Sequence, residues 1–159
     1  MRITKDTVFF ITGGASGLGE AAAREIHAKG ARVAIADMNQ ERLDLIKNEL
    51  KERVIVFKCD VTKEEDVKKA IDGTVEAFGT IHAVLACAGI ATVSPTLSSK
   101  GSLDMNLFKK CMEINVYGSM YVAKHAAVIM SKNKALDDRG EKGVIIFVSS
   151  VAAEEGQRG

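Results

Sequence analysis

The chain has 159 residues, with 22 Lys or Arg against 21 Asp or Glu, so its formal net charge is +1. This balance gives no electrostatic basis for binding nucleic acid or an anionic membrane. The length fits one domain with a buried core, and the longest apolar runs are far too short to span a bilayer.

The cysteines Cys59, Cys87 and Cys111 are odd in number and widely spaced. This usage favours reduced thiols and an intracellular, cytoplasmic location. No pair has the spacing of metal ligands, so we expect no metal site. The first apolar segment begins a few residues after Met1, which predicts neither a signal peptide nor a cleaved transit peptide.

Apolar strand-like segments alternate with amphipathic helical segments, which is typical of a parallel α/β sheet. Strands are predicted over Thr7 to Thr12, Arg32 to Asp37, Val54 to Phe57, Ala83 to Ala86 and Val144 to Val148. Helices are predicted over Gly17 to Lys29, after the cap Asn39, after a Thr62–Glu65 capping box and over Asp104 to Lys132. Residues 90–102, 133–143 and the segment after Ser149 are predicted as loops. We expect a single domain over residues 1–159, and in its first helix a buried stripe of Leu18, Ala22 and Ile26.

The first strand runs directly into a glycine-rich turn that opens the first helix. Such a turn aims a helix N-terminus at a phosphate. Gly13 permits the tight turn, and the missing side chains of Gly17 and Gly19 would let the backbone approach a pyrophosphate. We therefore predict cofactor contacts from Gly13, Ser16, Gly17, Leu18 and Gly19. The alternative is a glycine-rich turn that binds nothing.

Asp37 closes the second strand, where folds of this kind contact the adenosine ribose. A carboxylate there accepts hydrogen bonds from ribose hydroxyls and repels a 2′-phosphate. Its neighbours Met38 and Asn39 are not basic, and neither are Ala15 and Ser16 in the loop. NAD is therefore favoured over NADP. The alternative is that Asp37 only caps the next helix, and the two roles are compatible.

Three more positions carry polar or reactive groups. Ser150 follows the fifth strand, at the edge where open α/β sheets bind ligands, although a serine there is usually a turn residue. Asn115 lies near a buried face of the long helix, where a polar side chain is costly unless it has a hydrogen-bonding or functional role. The alternative is that Asn115 is only a partly exposed helical residue. Cys87 ends the fourth strand, and we interpret it as a small buried residue because no general base lies beside it in sequence.

Several of these segments, in order, resemble motifs of the short-chain dehydrogenase/reductase family. Thr12-Gly13-Gly14-Ala15-Ser16-Gly17-Leu18-Gly19 is similar to its cofactor loop, and further matches are Cys59-Asp60-Val61-Thr62, Cys87-Ala88-Gly89 and Ser150-Val151-Ala152-Ala153. Cys87 stands where most of the family has Asn, a departure shared with the type-2 3-hydroxyacyl-CoA dehydrogenase group. The resemblance implies a Rossmann-like doubly wound parallel sheet and NAD-dependent oxidation of a secondary alcohol such as a hydroxyacyl-CoA.

The resemblance also implies residue roles. Asp60 and Val61 would contact the adenine, although Asp60 could equally be a helix-entry acid. Cys87, Ala88 and Gly89 would line the cofactor. Ser150 would orient the substrate oxygen, and Asn115 would organise a proton-relaying water. A homotetramer is implied too, and a mitochondrial location is compatible with the family.

The family's general base lies in a Tyr-x-x-x-Lys motif, which these 159 residues lack. Tyr117 and Tyr121 are followed four residues later by Tyr121 and His125. We expect the sequence to be the N-terminal portion of a longer enzyme, because the fifth strand would otherwise leave an open hydrophobic edge. The alternative is a non-catalytic dinucleotide-binding module.

Overall fold

The computed structural model describes residues 1–99 and 101–157. Its main sheet consists of parallel strands in the order β3-β2-β1-β4-β7, which are β1 (Val8–Thr12), β2 (Arg32–Asp37), β3 (Val54–Lys58), β4 (Ala83–Ala86) and β7 (Val144–Phe147). The helices are α1 (Gly17–Ala28), α2 (Gln40–Leu50), α3 (Glu64–Phe78), α4 (Met105–Met112), α5 (Ser119–Met130) and α6 (Ala152–Glu155). The predicted doubly wound parallel sheet is confirmed. Its strand order reverses between β1 and β4, which opens a crevice at the carboxyl ends of the strands.

Helices cover both faces of the sheet. Successive residues of each strand point to opposite sides, so each strand contributes side chains to both faces. On one face Phe9 and Ile11 pack with buried residues of α1 and α2, among them Ile26 and Leu43. On the other face Phe10 packs with residues of α3 and α5, among them Val67, Ile71, Val122 and Ala126. The apolar run of β1 is therefore buried throughout, and it fixes the turn that follows it.

The buried stripe of α1 differs from the prediction. Leu18 is 72% exposed, whereas Gly19, Ala23 and Ile26 are buried. Ala22 is half-buried. The first two positions of the stripe are shifted by one residue, whereas Ile26 is buried as predicted. The helix packs Gly19 on the preceding turn, so Leu18 points outward.

The predicted capping box at the start of α3 does not form. The helix is preceded by Lys63, whose side chain makes no capping hydrogen bond. Both the N–H and the hydroxyl of Thr62 instead donate to Oδ1 of Asp60, over 3.0 and 2.7 Å. A local turn closed by an acidic side chain has replaced the box.

The predicted long helix is interrupted by a π-helical turn at Glu113–Gly118, between α4 and α5. Gly118 packs so tightly that an added Cβ would lie 2.8 Å from Cγ2 of Val61. Leu107, on α4, is 37% exposed. Two predicted loops also hold short elements. In the first, β5 (Leu97–Ser98) pairs with β6 (Gly101–Ser102) in antiparallel fashion, and in the second α6 follows Ser149.

Strand β7 lies at the edge of the sheet. It pairs with β4, and within residues 1–99 and 101–157 no other strand pairs with it. Ile146 is 47% exposed and Phe147 is 50% exposed. The predicted apolar strand is thus present and ends at Phe147, and its last side chains are half open to solvent.

His82 is expected to make the stability of the fold depend on pH. Its Nδ1 accepts a hydrogen bond from the N–H of Val8 over 3.1 Å, so the ring is neutral at that nitrogen. Burial, and then the charge of Arg32, lower the pKa of His82. The unfolded chain therefore binds the proton first, and we expect the free energy of unfolding to fall as pH drops below about 6.5.

Urea titrations at pH 7.5 and 5.5 measure this effect. The variant His82→Asn keeps an acceptor without a titrating ring and should lose part of the pH dependence. If the free energy of unfolding of His82→Asn changed with pH as much as that of the wild-type chain, His82 would not be the source of the pH dependence.

Candidate functional site

A cleft of about 380 Å³ lies at the carboxyl ends of β1, β2, β3 and β4, and we call it the main cleft. All the residues predicted to contact a cofactor line it: Gly13, Ser16, Gly17, Leu18, Gly19, Asp37, Asp60, Val61, Cys87, Ala88 and Gly89. The structure therefore brings them together, and their binding role stays a prediction. The sequence reasoning missed five further lining residues, namely Ala36, Met38, Cys59, Ile90 and Ile114.

The three glycines of the turn have different roles. Gly13 has φ +64°, and a Cβ there would lie 2.7 Å from the amide nitrogen of Ala88, so it allows the turn to touch the end of β4. A Cβ on Gly19 would lie 2.2 Å from the carbonyl oxygen of Gly13. Gly19 therefore serves the packing of α1 on the turn, and its contact with a ligand stays a prediction. Gly17 has φ +53°, and a Cβ added there would meet no atom within 4 Å. Gly17 therefore leaves bare backbone at the main cleft.

Asp37 holds the turn with its carboxylate. Oδ2 accepts from the N–H of Ala15 over 3.1 Å, and Oδ1 accepts from the N–H of Asn39 over 3.0 Å. The residue that caps α2 is Asn39, whose side chain accepts from the N–H of Arg42 over 3.0 Å. The alternative that Asp37 is the helix cap is therefore wrong. A carboxylate has about four acceptor sites, so about two of those on Asp37 remain open.

A basic group holds the same turn residue as Asp37, and the local sequence did not reveal it. Nε of Arg42 donates to the carbonyl of Ala15 over 3.2 Å, and the guanidinium is paired with Glu20. The immediate neighbours of Asp37 are not basic, as predicted, but the first turn of α2 brings this arginine to the loop. Of the five N–H donors of Arg42, these bonds use one at Nε and one at Nη2.

Asp60 adds a second acidic group to the main cleft. Burial alone would raise the pKa of Asp60, but hydrogen bonds from Thr62 and the charge of Lys63 hold it below its ordinary value. The carboxylate is therefore ionised at neutral pH. Asp60 both lines the main cleft and shapes the entry to α3, so its two interpretations coexist and adenine contact stays a prediction.

The thiols at the main cleft are not poised for nucleophilic attack. Burial raises the pKa of Cys87, and burial together with nearby carboxylates raises the pKa of Cys59 to about 12. A thiol must lose its proton to act as a nucleophile. Cys87 is half-buried and packs against the core, which supports its interpretation as a small packing residue.

A second cleft, of about 690 Å³, adjoins the main cleft and shares Cys87, Ala88, Gly89 and Ile90 with it. Both predicted catalytic residues, Asn115 and Ser150, line this second cleft. Oγ of Ser150 accepts from the N–H of Ala152 over 3.2 Å at the start of α6.

Asn115 is exposed, which agrees with the alternative of a partly exposed helical asparagine. Its Oδ1 accepts from the N–H of Ile90, and its Nδ2 donates to the carbonyl of the same residue, each over 2.9 Å. Asn115 thus ties the π-helical turn to the segment that separates the two clefts. No tyrosine of the described residues lines either cleft.

Within residues 1–99 and 101–157, no group of three or more His, Cys, Asp or Glu could hold a metal ion. None of the helices found there has the length and apolar character needed to cross a membrane.

The sheet is parallel, has a glycine-rich turn beside its switch point and carries acidic residues at the carboxyl ends of β2 and β3. Together these features define the class of dinucleotide-binding α/β domains. The model of the family described as short chain dehydrogenase matches residues 7–159. The chain belongs to the short-chain dehydrogenase family.

Several curated proteins are similar to this chain over part of their own length. The chain is 36% identical to 3-hydroxyacyl-CoA dehydrogenase type-2 of Drosophila melanogaster, covering 98% of this chain and 61% of that protein. Identity to the Homo sapiens protein of the same name is 36%, over 99% of this chain and 61% of the relative. The chain thus spans about three fifths of the length of these curated relatives.

Solved structures match the fold closely. A crystal structure of 3-hydroxyacyl-CoA dehydrogenase type-2 from Mycobacterium avium superposes with a TM-score of 0.90 at 29% identity, covering 100% of this chain and 63% of that one. A 3-ketoacyl-(acyl-carrier-protein) reductase from Brucella melitensis, complexed with NADH, gives 0.85 at 25% identity, over 96% of this chain and 60% of that one.

Proposed function

We propose that this chain forms the NAD-binding part of an oxidoreductase that transfers hydride between a secondary alcohol or ketone and NAD, with a 3-hydroxyacyl-CoA as substrate. The observation that carries the proposal is the pair of adjoining clefts. One is lined by the glycine-rich turn and two acidic residues, and the other by Asn115 and Ser150.

The residues of the main cleft fit a nicotinamide dinucleotide. Gly17 presents backbone that no side chain covers. Ser16 precedes α1 without a capping hydrogen bond from its side chain, so the first N–H groups of that helix lack this partner. These N–H groups suit a pyrophosphate, and Asp37 suits the ribose.

The second cleft fits the reacting end of a substrate. The Ser150 hydroxyl can donate to a substrate oxygen, and Asn115 keeps the adjoining Ile90 segment in place. When bound, the nicotinamide supplies the hydride chemistry. The naming of relatives as 3-hydroxyacyl-CoA dehydrogenases supports the substrate class.

The first test is cofactor preference. We expect the chain to bind NADH at least about fivefold more tightly than NADPH, since a 2′-phosphate a few Å from Asp37 is repelled by roughly 1–4 kcal/mol. Asp37→Asn removes this charge while keeping an acceptor for the N–H of Ala15, and it should narrow the preference. Calorimetric titration of each cofactor measures both constants.

The control for this test is Asp44→Asn on α2. Asp44 is exposed and bonds Gln40 rather than the turn, so its loss should leave the preference unchanged. Tighter binding of NADPH by the wild-type chain would contradict the NAD assignment. Binding of neither cofactor would contradict the proposed function itself.

A further inference from the structure

Ala15, in the middle of the glycine-rich turn, is held on both of its backbone polar groups. Its N–H donates to Asp37 over 3.1 Å, and its carbonyl accepts from Nε of Arg42 over 3.2 Å. Ala15 is only 1% exposed. The next two residues, Ser16 and Gly17, line the main cleft, so the hold on Ala15 determines where they lie.

Arg42 is itself fixed by Glu20, in the first turn of α1. One oxygen of Glu20 accepts from Nη2 of Arg42, and the other accepts from Nε and Nη2 of Arg24, over 3.0 and 2.9 Å. Burial acts to raise the pKa of Glu20, but the hydrogen bonds from Arg24 and Arg42 hold it below its ordinary value. The anchor is therefore charged at neutral pH.

Arg24 forms a second link between the same two helices. Its guanidinium bonds both carboxylate oxygens of Glu49, over 2.6 and 2.8 Å. The hydrogen bonds that its guanidinium makes within the described part of the chain go to Glu20 and Glu49 alone. Two arginines thus share one glutamate, yet only Arg42 reaches the turn.

We propose that Arg42, anchored by Glu20, is a positioning residue for the glycine-rich turn: by holding the carbonyl of Ala15, it keeps Gly17 and the start of α1 in the arrangement that receives the dinucleotide phosphates. The proposal rests on the proposed function. Arg42 acts through Ala15 and need not touch the cofactor, which separates its role from that of Asp37.

The test compares Arg42→Met with Arg24→Met. Both changes remove an ion pair with Glu20 and keep an apolar stem of similar length. We expect Arg42→Met to weaken NADH binding about three- to tenfold, the scale of one partly exposed hydrogen bond from a charged donor. Arg24→Met should leave the affinity for NADH within about twofold of the wild-type value. It should nevertheless lower the free energy of unfolding at least as much as Arg42→Met does.

A readout without cofactor accompanies the titration. Hydrogen exchange at the amides of residues 15–17 should be faster in Arg42→Met than in the wild-type chain, and unchanged in Arg24→Met. Glu20→Gln, which weakens the anchor but leaves the donor, should give a smaller loss of affinity. It also tests the proposal if Arg42→Met does not fold.

The outcomes separate the two proposals. If the wild-type chain binds NADH and Arg42→Met binds it equally well, only the role of Arg42 is overturned. Equal weakening by both arginine variants would also overturn it, because affinity would then follow general helix packing. If the wild-type chain binds no NADH, the proposed function fails and this inference fails with it.

Discussion

Gly19→Ala is expected to destabilise the chain by about 1–3 kcal/mol or more and to abolish measurable NADH binding. The added methyl carbon would lie 2.2 Å from the carbonyl oxygen and 2.8 Å from the carbonyl carbon of Gly13. These are backbone atoms of the turn, so relief requires α1 to move away from β1. That movement would carry the helix N-terminus out of the main cleft. Urea unfolding and calorimetric titration measure the two losses.

Gly73→Ala is the matched control for this prediction. On α3, a Cβ at Gly73 would lie 2.7 Å from the ring of Phe57, a side chain that can shift. Neither residue lines the main cleft. We expect some loss of stability but wild-type affinity for NADH. Wild-type stability and affinity in Gly19→Ala would show that α1 does not depend on this contact.

The sequence predicted those features that depend on local order along the chain. Each strand of the main sheet was found within one or two residues of its predicted bounds, because a buried parallel strand is a short apolar run between polar turns. In a parallel sheet all the turns at the carboxyl ends share one edge. The residues after Thr12, Asp37, Lys58 and Ala86 therefore had to meet, and they do so around the main cleft.

The features that the sequence did not predict depend on contacts between distant segments. Arg42 reaches Ala15 only because α2 packs beside α1, and Ile114 enters the main cleft from a helix far along the chain. The π-helical turn has no local signal either. Around it, Gly118 packs against Val61 while Asn115 binds Ile90. Pairwise spacing within one helix does not encode such contacts.

The 159-residue chain is expected to bind NADH and yet to show negligible oxidation of a 3-hydroxyacyl-CoA. Ser150 and Asn115 line the second cleft, but no tyrosine of the described residues lines it, and these 159 residues contain no Tyr-x-x-x-Lys motif. Positioning alone does not remove the hydroxyl proton. A missing general base typically lowers the rate by about 10²–10⁴-fold.

Formation of NADH in a spectrophotometric assay measures this expectation, with the Drosophila melanogaster relative as the active reference. A chimaera in which this chain is joined to the part of that relative beyond the matched region should gain activity, and Ser150→Ala in the chimaera should remove most of it. A chimaera that folds and binds NADH without turnover would favour a non-catalytic dinucleotide-binding module. Turnover by the unextended chain would mean that a different base acts. His125→Asn, on α5, and Tyr117→Phe, on the π-helical turn, would then test the two candidates.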